Sequence, residues 1–225
     1  MKHGKKWNNI RKTIDKTKES TLAEAIAFLK SNSQVKFDET VEIAVNLGID
    51  PKKSDQAVRG SVVLPHGLGK TVRVLAFAAG DKVQEAKDAG AEYVGSDDMA
   101  EKIMGGWLDF DAVVATPDMM KVVGKLGKVL GTRGLMPNPK VGTVTMDIGK
   151  AIRELKKGKA DFRSEKGGIL HAPLGKLSFD ADKINDNVKA FLDAIAKAKP
   201  PSAKGSFVKK VVLSSTMGQG IKIGS

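Results

Sequence analysis

The hydrophobic pattern of this 225-residue chain changes its period twice. Residues 36–50 alternate apolar and polar side chains, which is the pattern of a strand with one buried face and one face in water. Residues 68–158 instead alternate short apolar runs with helical stretches, which is typical of a parallel sheet with helical crossovers. From residue 160 the two-residue period returns. The chain therefore predicts two architectures, with the second inserted into the first.

The predicted fold class is α/β and α+β, in two domains. An α+β domain built from both chain ends, residues 1–67 and 159–225, is interrupted by a Rossmann-like α/β domain of residues 68–158. The chain crosses between the two domains twice, at residues 65–69 and 158–159. Because the first crossing is rich in proline and glycine, it is a candidate hinge.

Capping signals predict the main helices. Thr21 and Glu24 form a capping box that starts a helix through Lys30. Ser96 and Thr116 are expected to cap two helices of the inserted domain, the second with a proline at its first position. Further helices are predicted at 81–89, 147–157 and 182–199, with a partly helical basic segment at 5–18.

Strands are predicted where short apolar or alternating runs lie between breakers. Residues 160–163 and 169–172 are expected to form a hairpin, and the strand at 207–213 is expected to break at Ser214 into a flexible loop. Other strands are predicted at 59–64, 72–78, 91–94, 112–115 and 221–223. In the longest strand, 36–50, the residues predicted to face the core are Phe37, Val41, Ile43, Val45, Leu47 and Ile49.

Composition excludes several classes of function. The chain has no cysteine, which excludes disulfides, thiolate metal ligands and cysteine nucleophiles and fits a reducing cytoplasm. It has neither a secretory signal nor an apolar run long enough to cross a membrane. The net charge is +12, with +4 in residues 1–67, +6 in 159–225 and only +2 in 68–158. Basic flanks favour a polyanion binder, although excess lysine can also serve solubility alone.

Enzyme motifs are incomplete. The sequence at 67–71, Gly-Leu-Gly-Lys-Thr, resembles the end of a phosphate-binding loop, but Leu64 stands where that motif needs a glycine. A strand is also predicted after it, whereas a phosphate site needs a helix N-terminus. The three histidines, at 3, 66 and 171, lack the spacing of a zinc site. No catalytic residue, cofactor or metal is therefore expected.

Two stretches offer groups that suit RNA. On the wet face of the strand at 36–50, Lys36 can meet a phosphate, while Thr40 and Glu42 can hydrogen-bond. Residues 214–220 are small, carry hydroxyls that can bond a ribose 2′-OH, and include Met217, which can pack on a base or ribose. An ordinary half-exposed strand and a plain surface loop would show the same patterns.

Several long motifs, in order, resemble one family. The loop GTRGLMPNPKVGTV at 131–144 resembles the signature loop of the L1 family of large-subunit ribosomal proteins, in its bacterial form. Similar matches are KFDETVEIAVNLGID at 36–50, VVLPHGLGK at 62–70, KGGILHAPLGKLSF at 166–179 and SSTMGQG at 214–220. The family's usual GTGK is GLGK here, and Thr132 stands where it often has proline. Neither departure touches the RNA face that the resemblance implies.

The resemblance implies a binder of large-subunit ribosomal RNA at the mobile stalk beside the tRNA exit site. It also implies a translational repressor that binds its own operon messenger RNA. The further expectations are contact with exit-site tRNA, a free monomer, no membrane, and a cytoplasmic location in the large ribosomal subunit. Alternatives from other classes are a nucleotide-binding enzyme built on the Rossmann-like domain and a two-domain small-molecule receptor. The missing phosphate glycines disfavour the first and the basic flanks disfavour the second.

The expected RNA-binding residues come from two arguments. By position in the family motifs, the resemblance carries over residues of the first long strand and of the C-terminal strand end. Charge, placement and hydroxyl chemistry add four weaker candidates. The first set is Phe37, Thr40, Glu42, Thr216, Met217 and Gly218; the second is Lys36, Lys166, His171 and Ser214.

Overall fold

The computed structural model describes residues 4, 7, 10, 14, 18–33, 35–50, 53–203 and 205–224, with Ser54 described by its backbone alone. Most of the predicted basic segment at 5–18 lies outside these residues. Residue contacts divide the chain into two compact units. Unit 1 holds residues up to Gly69 and those from Ala160 onward, and unit 2 is Lys70–Lys159.

The elements follow in chain order. They are α1 (Leu22–Ser31), β1 (Thr40–Leu47), β2 (Arg59–Val63), β3 (Val74–Phe77), α2 (Lys82–Asp88), β4 (Tyr93–Gly95), α3 (Asp97–Met104), β5 (Ala112–Ala115), α4 (Met120–Lys125), α5 (Gly127–Thr132), α6 (Ile148–Lys156), β6 (Lys159–Arg163), β7 (Ile169–Lys176), α7 (Ala181–Lys197), β8 (Val208–Ser215) and β9 (Ile221–Ile223). Short 3₁₀ turns lie at Ser54–Gln56, Pro117–Met119 and Pro139–Val141.

Unit 1 is built on an antiparallel sheet in the order β7–β1–β8–β9. The alternation predicted for β1 is confirmed over Thr40–Leu47, because its odd-numbered residues from Val41 onward are buried and the others are not. Helices α1 and α7 pack on the buried face in one core. The predicted capping box of α1 is present at Thr21 and Glu24. The opposite face of the sheet carries the polar side chains of β1.

The predicted strand at 36–50 is too long at its start. Phe37 was expected on the core face, but it precedes β1 and its side chain is 54% exposed. The cause lies just before the strand, where Asp38 accepts hydrogen bonds from the backbone and hydroxyl of Ser178 instead of pairing in the sheet. The alternation in the sequence therefore begins before the strand itself does.

The predicted strands at 160–163 and 169–172 and the turn between them are present, with Ser164 and Leu170 joined in an isolated antiparallel bridge, but the two strands do not pair further as a hairpin. β6 pairs with β2 in a separate two-stranded sheet, while β7 joins β1 and runs four residues further than predicted, to Lys176. Pro173 and Gly175 are residues that disfavour a regular strand. A register shift opposite them, between Val41 and Glu42, allows β7 to continue.

The predicted break at Ser214 is also wrong. β8 continues through Ser215, with Ser214 opposite Glu42 and Ser215 opposite Val41. The partner strand β1 offers backbone groups along this length, so pairing outweighs the low strand propensity of serine. The loop is shorter than expected and begins at Thr216.

Unit 2 contains a three-stranded parallel sheet in the order β4–β3–β5, which confirms the predicted parallel arrangement. Each strand is short and apolar because helices cover both faces. One core packs α3, α4 and α5 against the sheet, and the other packs α2 and α6.

Two predicted caps in unit 2 stand at the predicted N-cap positions but make no side-chain capping hydrogen bond. Ser96 makes no side-chain cap, and the carboxylate of Asp98 instead accepts the backbone N–H of Ser96 at 2.8 Å. Thr116 also makes no side-chain cap, and Pro117 opens a 3₁₀ turn that precedes α4. The acidic first turn of α3 supplies an acceptor of its own, so the serine is not needed there.

The first predicted crossing is partly fixed to unit 1. The buried side chain of Asn187 on α7 accepts the N–H of His66 at 3.1 Å and donates to the carbonyl of Gly67 at 3.1 Å. The same amide donates to the carbonyl of Leu174 at 2.7 Å. Two hydrogen bonds to one buried side chain therefore fix the backbone of His66 and Gly67 to α7.

Candidate nucleic-acid interface

One end of the unit 1 sheet gathers most of the predicted residues. We call residues 216–220, which connect β8 to β9, the sheet corner. Thr216 ties this corner to β1, because its Oγ1 accepts the backbone N–H of Thr40 at 3.0 Å and lies 3.4 Å from the Thr40 carbonyl, to which it donates. A side chain thereby extends the β1–β8 ladder one step beyond Ser215.

Glu39 is the buried centre of this end of the sheet, with only 2% of its surface exposed. One carboxylate oxygen accepts the hydroxyl of Ser33 at 2.7 Å, and the other accepts the backbone N–H of Met217 at 2.9 Å. Burial opposes ionisation of Glu39, but the hydrogen bonds from Met217, Ser33 and Ser215 outweigh it and hold its pKa below the ordinary value. The carboxylate therefore fixes the backbone of Met217.

Sequence reasoning missed Glu39, although a signal was present. It stands between Phe37 and Val41 with the parity of the core residues, so it is an acid where an apolar side chain is expected. Such a residue is tolerated only when its oxygens have partners. Those partners come from positions far along the chain, which the sequence alone does not bring together.

Gly218 is required by the protein itself. A Cβ atom there would lie 2.2 Å from Oγ of the buried Ser215, closer than real side chains permit. Its N–H also donates to the carbonyl of Ser215 at 3.1 Å. The corner thus turns tightly against β8, and a larger residue would disturb the group that supports Glu39.

Two apolar side chains are exposed near this anchored backbone. Met217 is 63% exposed and Phe37 is 54% exposed. Their backbones are close in the structure, because Phe37 precedes Glu39 by two residues and Glu39 binds the N–H of Met217. Exposed apolar groups on a fixed backbone are typical of a binding surface rather than of a core.

Lys176 adds a cation that sequence reasoning missed. Its ammonium group donates to Oγ1 of Thr40 at 3.0 Å and to the carbonyl of Asp38 at 3.4 Å. It lies inside the motif at 166–179, but nothing local distinguishes it from the other lysines. Only the pairing of Thr40 with Lys176 across β1 and β7 reveals its place.

The open face of the sheet carries three more predicted residues. Glu42 lies between Pro173 on β7 and Ser214 on β8, and all three share the face away from the helices. His171 lies one row further along, opposite Ala44. The structure therefore brings Glu42, Ser214 and His171 together on a surface continuous with Thr40.

Two weaker candidates lie apart from each other. Lys36 is exposed just before Phe37, at the same end as the corner. Lys166 belongs to the turn before β7, where the N–H of Leu47 bonds the carbonyl of Gly168 at 2.9 Å. At about 3.4 Å per residue, the length of β1 puts this turn roughly 20 Å from Thr40. Lys166 is therefore outside the cluster.

The described residues contain no group of three or more histidine, aspartate or glutamate side chains that could hold a metal. Lys70, the lysine of the incomplete phosphate loop, is paired with Asp111 at 2.7 Å, and the strand predicted after it is present from Val74. Among the same residues, none of the helices combines the length and the apolar character that a membrane span needs. What the site offers is hydrogen bonding, apolar contact and positive charge.

Comparison with known proteins identifies the family of this chain. The model of the ribosomal protein L1p/L10e family matches residues 29–219. The chain is 57% identical over 222 residues to the large ribosomal subunit protein uL1 of Chlamydia caviae, with 99% of this chain and 96% of the relative covered. The protein is thus a ribosomal protein, of the class that binds ribosomal RNA and serves a structural role. Within that class, the chain belongs to the L1 family.

Proposed function

We propose that this protein binds large-subunit ribosomal RNA through the sheet corner and the adjoining open face of unit 1. The observation that carries the proposal is the exposed side chain of Met217 on a backbone held by the buried carboxylate of Glu39. A prearranged surface of this kind loses little conformational freedom on binding, so its contacts translate into affinity.

The neighbouring groups have complementary roles. Met217 and Phe37 offer apolar surface to a ribose or an unstacked base. The hydroxyl of Thr40 and the carboxylate of Glu42 can accept or share hydrogen bonds with 2′-hydroxyls, while Lys36 and Lys176 supply positive charge for phosphates. Ser214 and His171 extend the polar surface along the open face. Lys166 would contact only an RNA that reaches the far end of β1.

The place of the protein in the ribosome and its other RNA partners are proposed from the family motifs. The protein works in the cytoplasm, in the large ribosomal subunit, at the mobile stalk beside the tRNA exit site. The same surface recognises a similar structure in its own operon messenger RNA and so represses translation. The discontinuous domain of residues 1–67 and 159–225 carries this recognition, and residues 68–158 form the inserted domain. Contact with exit-site tRNA is part of the same proposal, and Arg133 and Lys140 of unit 2 are exposed cations that an RNA could reach.

An enzymatic role receives no support from the site. The ammonium group of Lys70 is engaged by Asp111, and the element that follows residue 71 is the strand β3 rather than a helix whose N-terminus could receive a phosphate. The protein is proposed to act as a monomer that binds RNA and catalyses no reaction.

The decisive variant is Met217→Asp, because it places a negative charge at a phosphate-rich surface while leaving the backbone N–H of residue 217 in place. Affinity for a stalk ribosomal RNA fragment should fall by about 1–3 kcal/mol, with a melting temperature close to that of the parent. The operon messenger leader should lose a similar amount if both RNAs use one surface. Equilibrium titrations at fixed salt measure both affinities.

Met146→Asp is the matched control. Its side chain is 57% exposed, similar to Met217, but it lies in unit 2. It should leave both affinities within about twofold, well under 1 kcal/mol. Equal losses for the two variants would point to net charge rather than to a contact. Unchanged affinity in a folded Met217→Asp protein would remove the corner from the RNA surface.

A further inference from the structure

The N-terminal segment reaches the sheet corner through Trp7. The side chain of Gln219 is buried, with 8% of its surface exposed, and its amide donates to the carbonyl of Trp7 at 3.2 Å. This hydrogen bond joins residues 212 positions apart. It holds Gln219, in the second half of the corner (residues 218–220). The hydrogen bonds of Thr216 and of the Met217 N–H hold the first half (residues 216 and 217).

Trp7 also lies between two cavities that meet at the corner. The first, of about 310 Å³, extends to Phe28 and Leu29 of α1, on the helix side of the sheet. The second, of about 350 Å³, extends to Lys210 and Val212 on the open side. Trp7, Gly218 and Gln219 line both cavities. Trp7, which is half-buried, therefore lines the corner on both sides of the sheet.

We propose that Trp7 is a positioning residue for RNA binding, which holds the second half of the corner so that Met217 is presented in one conformation. This inference rests on the function proposed above. Gly218 and Gly220 flank Gln219, and glycines leave a backbone unusually free to move. Without Trp7 behind it, the Gln219 side chain loses packing, and RNA must order the corner at the moment of binding.

Trp7→Ala should weaken binding of the stalk RNA by about tenfold, since ordering a short segment then opposes association. The salt dependence of the affinity should be unchanged, because Trp7 neutralises no phosphate. Trp7→Phe keeps an aromatic ring and the same backbone carbonyl, so it should restore affinity to within about threefold. Gln219→Ala removes the donor and leaves the indole, and it should also weaken binding.

Two measurements distinguish the positioning role of Trp7 from a purely structural one. Amide hydrogen exchange in Trp7→Ala should accelerate at residues 217–220 and not across β1, which a general loss of stability would affect. Trp7 and Trp107 are the two tryptophans of the chain, so Trp107→Phe leaves Trp7 as the only one. Its emission should then change saturably with added stalk RNA and report the same affinity. In Trp7→Phe, the emission of Trp107 should not change.

The outcomes separate this inference from the function on which it rests. If Met217→Asp weakens binding but Trp7→Ala and Gln219→Ala change it less than twofold, Trp7 does not position the corner and the RNA surface stands. If Met217→Asp has no effect, the sheet corner is not the RNA-binding surface, and the positioning role of Trp7 is excluded as well. Combining Trp7→Ala with Met217→Ala should reduce RNA affinity by less than the sum of the two single losses. A Met217 side chain that is no longer held in position contributes less to binding, so its removal costs less. Strict additivity would overturn the positioning role.

Discussion

Helices cover the sheet of unit 1 on one face, whereas they cover the sheet of unit 2 on both. In unit 2 the strands β3 and β5 are almost entirely buried, so their sequences are short apolar runs. In unit 1 the strand β1 alternates, and its polar side chains stay on an open face. Net charge follows the same division, since residues 1–67 and 159–225 carry +4 and +6 against +2 for 68–158. An open face with positive charge is available to a polyanion, and a doubly covered sheet is not.

The two units also satisfy a key carboxylate differently. Asp111 in unit 2 accepts the ammonium of Lys70 at 2.7 Å and the guanidinium of Arg73 at 3.1 Å. Glu39 in unit 1 accepts neutral N–H and O–H groups instead. Asp111 partly compensates the charge of the two cations that it binds, whereas Glu39 fixes the sheet corner without pairing with a cation. The comparison predicts different responses to substitution, pH and salt.

The largest effect is expected from Glu39→Ala. Removing this buried acceptor leaves the N–H of Met217 and the hydroxyl of Ser33 without their partner, so the free energy of unfolding should fall by about 3 kcal/mol. Urea denaturation measures it, and RNA affinity should fall as well. Glu42→Ala, on the open face, is the control and should change stability by less than about 0.5 kcal/mol. Similar small losses for both variants would mean that Glu39 does not hold the corner.

A smaller effect is expected from Asp111→Asn in unit 2. The ammonium of Lys70, with help from Arg73, lowers the pKa of Asp111 from its ordinary 3.8 to about 2 despite partial burial. Its ionised form therefore stabilises unit 2 fully above the ordinary pKa, and that stability is lost as pH falls from about 4 towards 2. Allowing for the exposure of Lys70, the loss at neutral pH should be about 2 kcal/mol.

This loss can be read from Trp107, which packs edge-on against Tyr93 at 4.7 Å within unit 2. In a Trp7→Phe background its emission follows unit 2 alone. The difference between Asp111→Asn and the parent should vanish near pH 2 and shrink in about 1 M salt, which screens exposed charges. Asp109→Asn, at a more exposed partner of Arg73, is the control with a smaller loss. A salt-independent, pH-independent difference would contradict the ion-pair explanation.

The smallest effect is expected from deleting most of unit 2. β2 and β6 run antiparallel, since Val58 bonds Ser164 and Gly60 packs against Phe162, so the ends at Val63 and Lys159 are neighbours. Replacing residues 70–158 with a short Gly-Ser linker should therefore preserve the fold of unit 1 at modest entropic cost. The stalk RNA should bind within about tenfold of the intact chain, or 1.4 kcal/mol.

Circular dichroism should first establish that the shortened chain folds. Adding Met217→Asp to it should then cost the same affinity as in the full chain, because the contact lies within unit 1. If the shortened chain folds but binds the stalk RNA a thousandfold more weakly, the recognition surface lies in unit 2 rather than in unit 1.

The sequence by itself determined several features that depend on neighbouring residues. The capping box of Thr21 and Glu24 starts α1, because the donors and acceptors lie three residues apart. The parity of Val41 and Ile43 sets the buried face of β1, and the apolar runs of β3 and β5 set a doubly covered parallel sheet. The family motifs in their order were likewise readable, and with them Phe37, Thr40 and Met217 as candidates.

Only the tertiary structure decided which distant groups meet. The sequence did not reveal that Glu39 holds Met217, 178 residues away, or that Lys176 reaches Thr40. Local pattern states which face of an element is apolar, but hydrogen-bond partners depend on strand register across the whole sheet. For the same reason β6 left its expected partner and β8 continued through Ser215. The corner is built from such long-range bonds, so its geometry exists only once β1, β7, β8 and β9 have paired.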